Sequence, residues 1–289
     1  MLYTKSNKPI SKIGIGTWTI NKEFIDDEIR ALNYYFKNGV NYIDVVLAYN
    51  DGAVLDVVAE FLKSINREDL FINAYITFGC NNLTDIKKQI DYYLNKLNTE
   101  YIDCITLHCL DAIGFSFEEY VGYINSLKES GKVSKIGYSN LSPEQLKSVI
   151  RQCDFFEGLY NLECKMNEDN GILEICNTNS IPFFAYQPLR RNRTAQENYQ
   201  LLLDLANKYN KTQNQIVLNW LLKHKNIRTV IKSSNIAHIK ENLGALDFVM
   251  EKSDYLKLDS FRAQKFDNIK YSYKNEKGKV RIDQIPNQY

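Results

Sequence analysis

Proline and histidine are scarce in this chain: five prolines and three histidines among 289 residues. Few prolines mean few forced breaks in regular backbone, so helices and strands can follow one another closely. Three histidines leave little for a metal centre, and the six cysteines (80, 104, 109, 153, 164, 176) contain no Cys-x-x-Cys pair. Zinc frameworks and disulfide scaffolds are thereby set aside, no metal is expected, and reduced, mostly buried thiols are the expectation. An excess of one charge is missing too. Thirty-six basic and 35 acidic residues leave a net charge of +1, without the basic footprint of a nucleic-acid partner. No apolar run approaches the roughly 18 residues of a membrane span, and the opening Met-Leu-Tyr-Thr-Lys-Ser has no signal-peptide apolar region. These absences predict a soluble, cytoplasmic protein.

What the chain does have is 44% hydrophobic residues, enough for a sizeable core, and one stretch that organises the rest. Asn41-Tyr-Ile-Asp-Val-Val-Leu-Ala-Tyr49-Asn-Asp-Gly52 opens as a β-rich run, meets a carboxylate at Asp44 and a phenol at Tyr49, and closes on a turn signal. A helix follows over about 53–63. The same event recurs. Strands are predicted at 11–18, 70–77, 101–108, 135–140, 157–161, 181–186 and 228–233. Helical spacing intervenes at 26–38 and 84–97, from the capping box Ser116-x-x-Glu119 to Gly131, and from Ser142-Pro-Glu-Gln145. It returns through Ile172 and Ile175, up to residue 224 with a fresh cap at Thr212-x-x-Gln215, and from Asn235 through Leu243. Eight strand–helix alternations spaced roughly 25–40 residues apart are the signature of a closed parallel barrel, and no linker divides them. The expectation is a single α/β domain over 1–289, a (β/α)₈ TIM barrel, with an irregular polar tail from about 264.

In such a barrel chemistry sits at the carboxyl ends of the strands. Those ends read Thr17/Trp18, Asp44/Tyr49, Tyr75/Thr77, His108, Ser139/Asn140, Glu157, Tyr186/Gln187 and Lys232/Ser233. Ser139, Asn140 and Ser233 are also ordinary helix caps, and a lone His such as His108 is commonly a satisfied core imidazole. An acid, two phenols, an imidazole and an amide at one barrel mouth nonetheless include the groups that can hand a proton to a carbonyl oxygen. Gly14-x-Gly16 lacks the third glycine and helix start of a dinucleotide loop.

The ordered segments Ile13-Gly-Ile-Gly-Thr-Trp18, Ile43-Asp-(x)₄-Tyr49, Tyr101-Ile-Asp-Cys-Ile-Thr-Leu-His108, Gly131-Lys-Val-Ser-Lys-Ile-Gly-Tyr-Ser-Asn140, Tyr160-Asn161, Ala185-Tyr-Gln-Pro-Leu189 and Ile239-Lys-Glu-Asn-Leu243 resemble the aldo-keto reductase superfamily over nearly the whole chain. The resemblance implies a barrel that binds NADP(H) in an extended pose, NAD(H) not being excluded. By resemblance Tyr49 is the general acid, His108 orients the carbonyl, and Asp44 is the acidic member of the tetrad. Ser139 and Asn140 are then the carboxamide ligands and Tyr186 stacks on the nicotinamide. Lys232, Ser233, His238, Glu241 and Asn242 form the adenosine-phosphate site.

Three positions depart from that pattern. Tyr75 stands where the tetrad lysine belongs, which takes a cation away from the phenol and from Asp44. Glu157 is read at the position of a glutamine that contacts the carboxamide, and His238 replaces an arginine near the phosphate. The expectation is therefore an NADP(H)-dependent reductase of small carbonyl compounds, weakened or altered by the lost lysine. Two alternatives stand beside it: elimination or isomerisation on the same barrel with Tyr49, Tyr75 and His108 as acid/base groups, and a non-catalytic nucleotide-binding relative.

Overall fold

The computed structural model describes residues 2–76, 82–108 and 117–263. Thr77, Cys80, Cys109, the Ser116 capping box and the tail from about 264 lie outside the described residues, as does the side chain of His108. The strands are Ile13–Ile15 (β1), Tyr42–Val46 (β2), Phe71–Ile76 (β3), Ile102–His108 (β4), Val133–Ser139 (β5), Phe155–Leu159 (β6), Phe183–Tyr186 (β7) and Ile227–Ile231 (β8). They pair in parallel in chain order, and β8 returns to β1 to close the barrel. Such strands are covered on both faces, which is why they read as near-continuous runs of apolar residues.

Alternate residues of each strand point inward and build the interior in layers. The lowest layer is aromatic. Tyr42, Phe71, Cys104, Phe155, Phe184 and Val230 pack together with Leu2 and Ile10. The Tyr42 ring lies 4.5 Å from Phe184 and 6.3 Å from Phe155, on strands that are not its neighbours, so these contacts cross the barrel. Gly14 and Gly137 make room for them. A Cβ at Gly14 would run into the Tyr42 ring, and one at Gly137 into Thr106 Oγ1 and the Phe155 ring.

Residues 2–10 form a structural plug. Tyr3 bridges Pro9 in antiparallel fashion, and the turn between them presents Leu2 and Ile10 to the aromatic layer at the amino end of the barrel. Beside it Lys12 Nζ donates to the carbonyls of Leu222 (3.3 Å), His224 (2.7 Å), Lys225 (3.1 Å) and Ile227 (3.2 Å), tying the start of β1 to the approach of β8.

Helices follow the strands as the spacing predicts, and both described capping boxes form, at Ser142/Gln145 and Thr212/Gln215. Two features differ from the sequence reading. The sixth strand runs over Phe155–Leu159, two residues earlier than 157–161, because Phe155 and Phe156 are drawn into the core on opposite faces of the sheet. A helix at Lys252–Ser260 was not anticipated. It has no side-chain cap and is fixed from outside: Lys165 Nζ donates to Leu258 O and Asp259 O, and Trp220 Nε1 to Asp259 Oδ1.

Cys104, Cys153, Cys164 and Cys176 are free and buried. Among the described residues no cluster of three or more His, Cys, Asp or Glu side chains is arranged to hold a metal, and no helix is long and apolar enough to cross a membrane.

Candidate active site

Above the aromatic layer the next inward residue of β2 is Asp44, 7% exposed. Its Oδ1 accepts from Thr17 N at 2.9 Å and Thr17 Oγ1 at 3.3 Å, so the exit of β1 holds the carboxyl in place. The following residue, Trp18, meets the Tyr49 ring edge-on with centroids 4.8 Å apart. Two consecutive residues thus link the acid of β2 to the phenol of its loop. Tyr49 itself opens a tight 3₁₀ turn, Tyr49–Gly52, which depends on left-handed backbone at Asn50 (φ 47°) and Gly52 (φ 86°). The Asn50 amide donates back to Ile20 O.

A single phenol from the helix Leu83–Leu97 aligns two neighbouring strand exits. Tyr93 OH accepts from Leu47 N at 2.8 Å and donates to Tyr75 O at 2.8 Å. Tyr75 is in register with Val46 on one side and Thr106 on the other. Its side chain is buried, 6% exposed, and among the described residues its hydroxyl has no hydrogen-bond partner. The ring fills the interior of the third strand's end, where no ammonium stands among the described residues.

Below Tyr75 a polar chain crosses three strands. Thr106 Oγ1 donates to Asn73 Oδ1 at 2.7 Å, and Asn73 Nδ2 to the Tyr42 hydroxyl at 3.0 Å. Glu157 belongs to this level. It was read as a strand end, but the observed span of β6 puts it two residues below Leu159, 4% exposed, and its Oε2 has no partner among the described residues. The strand-end position falls to Leu159 and its successors. There Asn161 is committed to its own turn, accepting from Glu163 N and Cys164 N and donating to Gln187 O.

Burial pushes the Asp44 carboxyl up to about 7, against the pull of the two Thr17 hydrogen bonds. Burial, and then the charge of Asp44, push Glu157 well above the carboxylate range. The Tyr42 phenol is driven upward by burial and by both acids.

On the opposite wall Tyr186 OH donates to Asn140 Oδ1 at 2.9 Å, with Asn140 in a left-handed conformation (φ 56°) just past the buried Ser139. Ser139 is in register with His108 on β4 and Glu157 on β6. The segment after β7 carries four left-handed non-glycine residues, Gln187, Arg190, Arg191 and Asn192. Arg190 is held by a buried ion pair with Glu163, and the Arg191 guanidinium lies 5.2 Å from the Trp18 ring.

The residues expected around an adenosine phosphate are largely engaged with one another. Lys232 Nζ pairs with Glu28 Oε1 at 2.7 Å, both side chains being mostly buried, so its charge is already balanced. Ser233 Oγ accepts from Asn235 N, and Asn235 caps Ala237 N. Glu241 accepts from Thr212 Oγ1 at 2.6 Å, Asn242 is buried, and His238 is exposed on the helix Ile236–Leu243. Lys232, expected as a basic contact to the adenosine phosphate, is paired with Glu28, 204 positions away in the chain. Lys232→Met is expected to destabilise the fold by about 2–3 kcal/mol by leaving Glu28 buried without a counter-charge. Glu28→Gln in the same chain is expected to recover most of that loss, as denaturant unfolding would measure.

The model of the Aldo/keto reductase family matches residues 12–263. The chain belongs to the aldo/keto reductase family. That makes it an oxidoreductase, and a barrel of this kind carries its chemistry at the carboxyl ends of its strands. This aldo/keto reductase is 25% identical to "Methylglyoxal reductase YeaE" of Escherichia coli (strain K12), over 99% of each chain. Its fold matches a thermostable aldo-keto reductase solved with the inhibitor epalrestat, at TM-score 0.81 and 26% identity over 90% of this chain and 99% of that one. A Klebsiella pneumoniae aldo/keto reductase in complex with NADP and acetate matches at TM-score 0.81 and 25% identity, covering 89% and 93%.

Trp18, Tyr93 and Glu28 are the contributors that motif reading does not assign. Trp18 had a signal, since it follows the first strand. Tyr93 reads as one more apolar face of a helix, and Glu28 as a solvated helical charge.

Proposed function

We propose that this protein is an NADP(H)-dependent reductase of small aldehydes and ketones, with Tyr49 as the proton donor. The observation that carries the reading is the Thr17–Trp18 bridge, which fixes the buried acid Asp44 and the phenol Tyr49 at one barrel mouth. The residues on the facing wall fit a nicotinamide cofactor. Ser139 and Asn140 offer donors and acceptors for a carboxamide, and Tyr186, tethered to Asn140, offers a ring face. The adenosine phosphate would be held by Lys232, Ser233 and the start of the helix Ile236–Leu243, with His238, Glu241 and Asn242 on that helix. NADPH bound along this wall would supply the hydride. Tyr49 gives its hydroxyl proton to the carbonyl oxygen, His108 orients that oxygen from the end of β4, and Asp44 sets the charge beneath them.

The weakened-enzyme reading is favoured by one specific observation: Asp44 Oδ1 accepts from Thr17 rather than from a cation, and Glu157 Oε2 has no hydrogen-bond partner among the described residues. Acid/base chemistry without hydride transfer uses the same phenols and His108, and is the second reading. A fluorescence titration with NADPH and NADP⁺, followed by a screen of reactive aldehydes such as methylglyoxal, separates the outcomes. Binding with turnover supports the reductase. Binding without turnover favours the second reading, and the lack of any binding leaves a relative that has kept only the fold.

Cofactor preference is a further expected outcome. With Lys232 neutralised, discrimination between NADPH and NADH should be small, and Glu28→Gln should raise NADPH affinity by about threefold to tenfold with little change for NADH. Equal effects on the two cofactors would remove Lys232 from the phosphate site.

A further inference from the structure

At the barrel mouth a side chain enters the ladder between β2 and β3. The ladder starts with Phe71 N donating to Asn41 O at 2.7 Å, and its register sets Tyr42 opposite Phe71 and Val46 opposite Tyr75. Followed upward by twos, the pattern ends on a rung from Leu47 N to Tyr75 O. The equivalent rungs at two other exits are direct. Gly16 N donates to Ile231 O at 2.9 Å between β1 and β8, and Asn140 N to Glu157 O at 3.3 Å between β5 and β6. Between β2 and β3 the rung passes through a phenol instead. Leu47 N donates to Tyr93 OH at 2.8 Å, and Tyr93 OH donates to Tyr75 O at 2.8 Å. Val45 O lies 3.4 Å from the same hydroxyl.

Two such bonds in series span more than the single bond of about 2.9 Å that they replace, so the two exits are held apart where the oxygen has entered. The wedge is firmly seated, since Tyr93 is fully buried on the helix Leu83–Leu97 and packs within the main core. Each end of it reaches the mouth. Leu47 stands two residues before Tyr49, whose ring meets Trp18 edge-on. Tyr75 carries the buried phenol of the third strand's end.

We propose that Tyr93 is a positioning residue of the active site: its hydroxyl wedges apart the exits of β2 and β3 and thereby sets where Tyr49 stands. Its effect on rate rests on the proposed reductase activity. In Tyr93→Phe the ring stays and the oxygen goes, leaving the Leu47 N–H and the Tyr75 carbonyl without a partner in a dry interior. That penalty drives the two together into a direct rung. Closure drags the start of the Tyr49 turn toward β3, away from Trp18 at the exit of β1.

Two measurements on Tyr93→Phe test this. In steady state, well below the thermal midpoint, kcat should fall by about tenfold to a hundredfold, the usual cost of a proton donor misplaced by about an ångström. NADPH affinity should stay within about twofold, because the proposed cofactor wall stands on β5 and β7. Tyr92→Phe, at an exposed neighbour on the same helix, should change neither. A purely structural hydroxyl would lower the thermal midpoint and leave kcat within about twofold, which overturns the positioning role. The crystal structure of the variant needs no turnover. It should show Leu47 N donating directly to Tyr75 O at about 2.9 Å, with the Trp18–Tyr49 contact opened. Leu47 and Tyr49 left in their native places would overturn the wedge even if the rate had fallen. A native protein that reduces nothing would overturn the reductase alone, and that structure would still decide the wedge.

Discussion

Tyr75→Lys is expected to raise the rate of NADPH-dependent aldehyde reduction by about tenfold or more over the native protein, whose own activity on ordinary aldehydes should be weak. The substitution returns a cation beside two buried acids, of which Asp44 is held by Thr17 and Glu157 Oε2 has no partner among the described residues. One unit in the acidity of a catalytic phenol corresponds to about 1.4 kcal/mol, a factor of ten in an equilibrium. An ammonium beside Tyr49 favours the phenolate that forms as the proton leaves, whereas a second phenol offers only a hydrogen bond. The site should accept the change. The Tyr75 hydroxyl makes no hydrogen bond among the described residues, and the Tyr93 anchor holds the Tyr75 backbone oxygen, which any residue at this position retains. The same lysine would lower both buried carboxyls, so the variant should also lose the decline in stability that their raised titration predicts between pH 5 and pH 8. Steady-state rates with a reactive aldehyde across pH, beside melting curves of the same preparations, make the comparison. Native turnover equal to that of the lysine variant would show that the missing cation is irrelevant to this site.

The barrel was legible because its signal is redundant. Eight apolar runs alternate with helical spacing, and a displaced boundary such as that of β6 leaves the topology unchanged. The same two-residue displacement was decisive for the site. Glu157 at a strand end is a rim residue, whereas at the middle of Phe155–Leu159 it is an interior acid. Phe155 and Phe156 held the clue, since two consecutive aromatics suit a strand buried on both faces. Pairings that join distant segments had no local signature. Nothing around Glu28 announces Lys232, and nothing around Leu2 and Ile10 announces an aromatic layer drawn from β2, β3, β6 and β7. The helix Lys252–Ser260 lacked a cap and is held by Lys165 and Trp220, so propensity alone could not find it. Local patterns therefore fixed the residue types at the mouth, and long-range charge pairing decided which of them remain available.

Tyr49→Phe is the substitution with the largest expected loss. A positioned general acid contributes about a hundredfold to ten-thousandfold, and removing the hydroxyl should lower kcat by a factor in that range. The ring is retained, so its edge-on contact with Trp18 at 4.8 Å and the turn through Gly52 have no reason to change. Affinity for NADPH should stay within about twofold of native, because the proposed cofactor wall at Ser139, Asn140 and Tyr186 is built on other strands. Loss of kcat with unchanged cofactor binding is the pattern of an interaction made only in the transition state. Two controls sharpen the result. Tyr75→Phe removes the other interior phenol of the mouth and should cost little, since its hydroxyl makes no hydrogen bond among the described residues. Tyr49→Phe combined with Tyr75→Lys should be as inactive as Tyr49→Phe alone, because a cation that acts on a phenolate has nothing to act on once the phenol is gone. If Tyr49→Phe keeps a third of the native rate while Tyr75→Phe abolishes it, the proton comes from β3, and the roles of the two tyrosines are reversed.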